Sequence, residues 1–96
     1  MTPEEELRRS GKAKDILENE MFKEACGEIE GAILNGIRRA AFKDSELREK
    51  LCQQYVTLHA IKDQLRSYIE TGELAKEQIR RSSLVDKAKE LYGSVF

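Results

Sequence analysis

The chain is poor in the residues most often used for chemistry or covalent bracing. It has one histidine, His59, two cysteines and one proline among 96 residues. With a single histidine and no closely spaced cysteine pair, a tetrahedral zinc site within one chain is not expected, and neither is any other metal or cofactor. Cys26 and Cys52 fall inside the two strongest helical segments. If those segments fold back on each other near Asp44, Cys26 lies opposite residues near 61. At roughly 1.5 Å per residue that leaves about 13 Å between the two sulfurs along the axis, too far for a disulfide.

Long apolar runs are missing too. None approaches the roughly 20 residues that span a bilayer, and nothing has the charged, apolar and small-residue order of a signal peptide. A cytosolic protein with no membrane partner is expected. Charge of one sign is also lacking: 17 Lys and Arg stand against 18 Asp and Glu, a formal net charge of -1. That balance excludes the basic excess of an electrostatic nucleic-acid binder and the acidic excess of a mimic.

The parts of an active site are equally sparse. His59 is the only candidate imidazole base for Cys52 or Ser67, but Cys52 stands two helical turns away, about 10 Å, and nucleophile and base need hydrogen-bond contact. The acids are interspersed with Lys and Arg at helical spacing, as on a solvated face. Gly27, Gly31 and Gly36 lie inside a helical pattern with no Gly-Lys-Ser/Thr after them, so they do not form a phosphate loop. The expectation is a protein with no catalytic residues.

What is present is helix. The length supports one domain, 1–96, that buries only somewhat more than about 60% of its unfolded surface, so help from self-association is expected. Thr2-Pro3-Glu4-Glu5 supplies a cap, a proline at the first helical position and a Glu three residues after the Thr, which starts a flanking helix over about 3–18 that falters at Ser10-Gly11. Asn19 caps a helix from about Glu20 to Phe42. Lys43-Asp44-Ser45 makes a polar turn, and a second long helix runs from Glu46 to about Glu70, closed by Thr71-Gly72. A weaker flanking segment, about 73–93, carries Leu74, Ala75 and Ile79, breaks at Arg80-Arg81-Ser82-Ser83 and resumes with Leu84, Ala88, Leu91 and Tyr92. No strand pattern or repeat occurs. The fold class is therefore all-α, a long antiparallel hairpin over about 20–71 with short flanking helices.

At 100° per residue, Phe22, Ala25, Cys26, Ile29, Ala32, Ile33, Ile37 and Ala40 share one broad face with Gly36 in its middle. Leu47, Leu51, Tyr55, Leu58, Ile61, Leu65, Tyr68 and Ile69 share the matching face of the second helix. These faces should pack together, with Gly36 giving room for a large neighbour. Gly27 and Gly31 point the other way, with Leu34 and Arg38, in a narrow uncharged strip flanked by Lys23, Glu24 and Glu30. Each weakens a helix interior by up to about 1 kcal/mol. They are merely tolerated on a surface, or they admit a second helix, or they admit a ligand. Cys52, Val56, His59 and Ala60 form the counterpart on the second helix, and two-sided helices favour a homo-oligomer.

The basic residues come as the pairs Arg8-Arg9, Arg38-Arg39 and Arg80-Arg81. Adjacent residues diverge by about 100° on a helix, so no pair makes a stripe. Only in an assembly would Arg38 and Arg39, near the hairpin tip, form a positive ring able to hold phosphates of nucleic acid or a nucleotide.

The stretches AKDILENEMFKEA (13–25) and LREKLCQQYVTLHAIKDQLRSYIETGELA (47–75) resemble a group of small helical-hairpin proteins encoded by tailed phages and prophages. The shared features are an Ile-Leu-x-Asn/Asp-x-x-Phe-x-Glu-Ala opening and a Thr-Gly-x-Leu-Ala ending. The resemblance covers about residues 13–79, brings no catalytic residue, and implies phage origin and expression in a bacterial cytosol, with association with the virion as one setting. Two functions follow as expectations. One is a non-catalytic oligomerisation protein, an accessory factor in virion assembly or genome packaging that binds itself and another phage or host protein. The alternative is an anti-defence protein that inhibits a host immune system by binding a host protein or sequestering a nucleotide signal. The expected contact residues are Gly27, Gly31, Leu34, Arg38, Arg39, Val56 and His59.

Overall fold

A computed structural model of the chain describes residues 1–93. Among these the structure is all helix: α1 is Pro3–Glu18, α2 is Glu20–Arg39 and α3 is Ser45–Tyr92. Each start is fixed by the cap that the sequence supplies. Thr2 Oγ1 accepts from the Glu5 amide at 3.2 Å with Pro3 at the first helical position, Asn19 Oδ1 accepts from the Phe22 amide at 2.9 Å, and Asp44 Oδ1 accepts from the Leu47 amide at 3.1 Å.

Asn19 also ends α1. Its extended backbone, ψ 125°, interrupts the helix for one residue while its own N–H donates to the Ile16 carbonyl at 3.2 Å. The chain thus breaks without a loop, and α1 and α2 follow one another along α3. The pairings show the direction: Gly36 meets Leu51, Glu30 meets His59, Arg9 meets Tyr68 and Ser10 meets Gly72. As the numbers fall on one side they rise on the other, so both shorter helices run antiparallel to α3.

The result is a rod of 77 × 25 × 16 Å. Its length is close to the ~72 Å that a 48-residue helix spans, and its width is that of two helices. The radius of gyration, 22.0 Å, compares with about 12–13 Å for a compact domain of this length.

Three expected helix limits are corrected. α1 does not falter at Ser10-Gly11, α3 does not stop at Thr71-Gly72, and no break separates Arg80 from Ser83. One contact explains the first two. Ser10 and Gly72 are both buried against each other, and a Cβ on Gly72 would collide with the Ser10 side chain. Gly72 is therefore a point of close helix approach, flanked by the buried Ala13 and Ala75, and not a helix terminator. Thr71 stays helical by donating its hydroxyl to the Ser67 carbonyl at 2.9 Å. Across the third site, Glu77 accepts from Arg80 at 2.6 and 2.9 Å and from Arg81 at 3.3 Å, bracing the turn that leads into Ser82-Ser83. At the other end α2 stops at Arg39, short of the expected Phe42, with the Ala40 N–H bonded to the Gly36 carbonyl.

The core is thin. Cys26, Ile33 and Leu58 are buried together, with Phe22, Ile37, Leu51 and Tyr55 packed around them. A Cβ on Gly36 would stand 3.1 Å from Leu51 Cδ1, so that glycine seats Leu51 as its position in the apolar face predicts. Ala25, Ile29, Ala32, Leu47 and Ile61, expected in the same core, are exposed. A single partner helix covers only a narrow seam, and these residues lie beside it.

Candidate functional site

The uncovered residues make the main feature of the surface. Between α2 and α3 runs an apolar groove of about 850 Å³, floored by Ile33, Leu51 and Leu58 and walled by Ile29, Ala32 and Ile61. Ile29 is 51% exposed and Ile61 53%. The rim is polar with little charge: Gln53, Gln54, Thr57 and Lys50, whose Nζ stands 3.8 Å from Glu46 Oε1. Among the described residues, Lys50 is the only titratable side chain lining the groove. The lining is mainly apolar side chains and uncharged amides.

The groove arises from the width of the apolar faces. On α2, Phe22, Cys26, Ile33 and Ile37 follow one seam, while Ala25, Ile29 and Ala32 trace a second beside it. On α3, Leu51, Leu58 and Leu65 belong to the first, and Leu47, Gln54 and Ile61, seven apart, to the second. Placing all these residues in one core missed the site. The available signal was that an apolar face this wide needs more than one neighbouring helix to cover it.

The residues expected to form the contact face occupy the other side of the seam and do not converge into a pocket. Gly27 and Gly31 are exposed, and a Cβ on either would meet nothing within 4 Å. Leu34 is 42% exposed and Val56 66%. Arg38 and Arg39 are exposed in the last turn of α2, where cations favour the negative end of the helix. Gly27 and Val56 each line a separate shallow cleft.

His59 has a definite setting. Its ring lies 4.4 Å from that of Tyr55, centroid to centroid, tilted by 46°, and its Nε2 faces Glu30 Oε1 at 3.7 Å across the α2–α3 seam. Nε2 is buried without a hydrogen bond. The cysteines are unpaired, with Cys26 in the core and Cys52 exposed. Among the described residues, no group of three His, Cys, Asp or Glu side chains is placed to hold a metal ion. No helix among the described residues is long and apolar enough to cross a membrane.

Of the arginine pairs, Arg80 and Arg81 do not diverge but converge on one carboxylate, that of Glu77. Arg9 lies 4.2 Å over the Tyr68 ring. The hydrogen bond from Arg80 is the main cause that holds the Glu77 carboxyl down at about 2, and the same contact raises the Arg80 guanidinium. This is an exposed ion-pair network on the C-terminal half of α3, away from the groove. The chain matches no protein-family model, no curated protein and no solved structure.

Proposed function

We propose that this chain is a non-catalytic association protein in which two copies close each other's α2–α3 groove, completing a four-helix bundle at that end of the rod. The observation that carries the proposal is the groove itself: large apolar side chains left half exposed beside a core of so few buried residues. A second copy suits it for two reasons. The second seam, with Ala25, Ile29 and Ala32 facing Leu47, Gln54 and Ile61, is what an identical rod offers in return, and a two-fold axis brings like patches together. The rim also carries a single charged side chain, Lys50, which stands 3.8 Å from Glu46 of its own helix, so little charge opposes a second copy.

The setting we propose rests on the phage-like motifs. Their positions coincide with features that shape the rod: Asn19 caps the break, Phe22 packs on the core, and Gly72 and Ala75 seat α1. We read the dimer as an accessory element of virion assembly or genome packaging, acting in a bacterial cytosol. Leu34 and Val56 are left on its outer side for another phage or host protein.

Sedimentation equilibrium on the wild type and an Ile29→Glu/Ile61→Glu variant tests the dimer. The wild type should weigh twice the 11.0 kDa chain and the variant should weigh one chain. Equal masses for the two proteins would refute the groove as the interface.

A further inference from the structure

A second cleft lies on the opposite side of the α2–α3 seam, where α1 gives way to α2. It measures about 280 Å³ and is lined by Leu17, Phe22, Lys23, Gly27, Lys62 and Arg66. Three of these six residues are cations and none is an acid, in a chain whose net charge is -1. From these observations we infer that the cleft is a binding site for a small phosphomonoester, its phosphate on Lys23, Lys62 and Arg66 and its apolar portion on Leu17 and Phe22.

Lys62 is the central residue. It follows Leu58 by four and precedes Leu65 by three, a seam position normally given to an apolar side chain, and it is only partly exposed. Among the described residues it has no ion pair or hydrogen bond. Its stem is partly covered while its Nζ stays accessible to solvent, free to meet an anion. Lys23 and Arg66 each contact one acid of their own helix, Glu20 at 3.7 Å and Asp63 at 2.8 Å. Those acids are 90% and 72% exposed, so the pairs are weak and both cations can turn to a ligand. Gly27 leaves its wall of the cleft open, since a Cβ there would meet nothing within 4 Å. The volume is near the lower end of ligand sites, about 300 Å³, which suits a mononucleotide or smaller and not a polymer.

Calorimetric titration of the full chain with adenosine monophosphate, inorganic phosphate and adenosine tests this. Adenosine monophosphate should bind, phosphate should bind more weakly, and adenosine should not bind. Lys62→Met keeps the apolar stem and removes the charge, and should weaken the nucleotide by about tenfold, the loss of one charge-assisted hydrogen bond. Arg66→Gln, on the exposed side, should weaken it less and serves if Lys62→Met loses helicity. The Ile29→Glu/Ile61→Glu variant should still bind, because Ile61 and Lys62 point to opposite sides of the seam, so failure of the dimer and failure of this site are told apart. Absence of heat with adenosine monophosphate, equal binding of adenosine, or wild-type affinity in both charge variants would overturn the inference.

Discussion

The two halves of the rod solve the same packing problem in opposite ways. Where α1 lies on α3, the contact is made by small residues: Ser10 and Ala13 against Gly72 and Ala75, with Ala13 2% and Ala75 1% exposed. Where α2 lies on α3, larger side chains meet along Cys26, Ile33 and Leu58 and leave Ile29 and Ile61 half in solvent. Small side chains let helix backbones approach until one partner suffices. Large ones hold the axes apart and make a surface wide enough for a third and fourth helix. The α1 end is seated closely by one partner helix, although Leu74 beside it stays 74% exposed, while the α2 end leaves its second seam open, where we propose that a second copy docks.

The largest effect expected from breaking this contrast is at the closed end. Gly72→Leu cannot be seated beside Ser10 and should release α1, costing about 3 kcal/mol in urea unfolding. Gly72→Ala should be partly rescued by Ser10→Gly, which removes the colliding atoms. A tolerated Gly72→Leu would mean that the close approach is unimportant. In the open half, Leu58→Ala should cost about 2–3 kcal/mol because Leu58 fills the seam, whereas Val56→Ala, at an outward position, should change stability by less than about 0.5 kcal/mol. Similar losses for both would deny that the seam has a defined inner side.

Gly31→Ala should stabilise the protein by up to about 1 kcal/mol, since the new methyl meets nothing and the helix gains propensity. A loss of stability or of dimer mass would instead show that a partner approaches that bare strip. The smallest effect concerns Glu77. Its folded carboxyl sits at about 2 against an ordinary 4.5, so its contribution is present above 4.5 and is lost as pH falls toward 2. The acid-induced loss of helicity should therefore be slightly shallower in Glu77→Gln than in the wild type, measured by circular dichroism. Identical curves would show that the Glu77–Arg80–Arg81 network contributes nothing.

Much of this fold is legible in the residues, because caps are local. Thr2 and Asn19 each announce a helix start that is found there, and the turn Lys43-Asp44-Ser45 announces the third, which begins at Ser45, one residue before the expected Glu46. The pairing of α2 with α3 follows from the short turn between them. Gly72 misleads for a physical reason: the bare backbone that ends a helix is the same feature that admits a neighbouring one, and only the position of Ser10 on α1 decides between them. The groove is hidden in a similar way. The periodicity of Ile29 and Ile61 marks them as apolar-face residues, but how much of that face one helix covers depends on axis separation, which no single position encodes. The phosphate cleft leaves a trace only at Lys62, a charge at a seam position.

The most direct test of the central claim, that a second copy completes the open half, is the concentration dependence of the wild-type melting temperature. Mass action predicts that the melting temperature rises steadily as protein concentration is raised across the micromolar range, and that this slope vanishes in the Ile29→Glu/Ile61→Glu variant. A single cooperative transition at one temperature at every concentration would show that the lone rod is the finished fold, and would contradict the account.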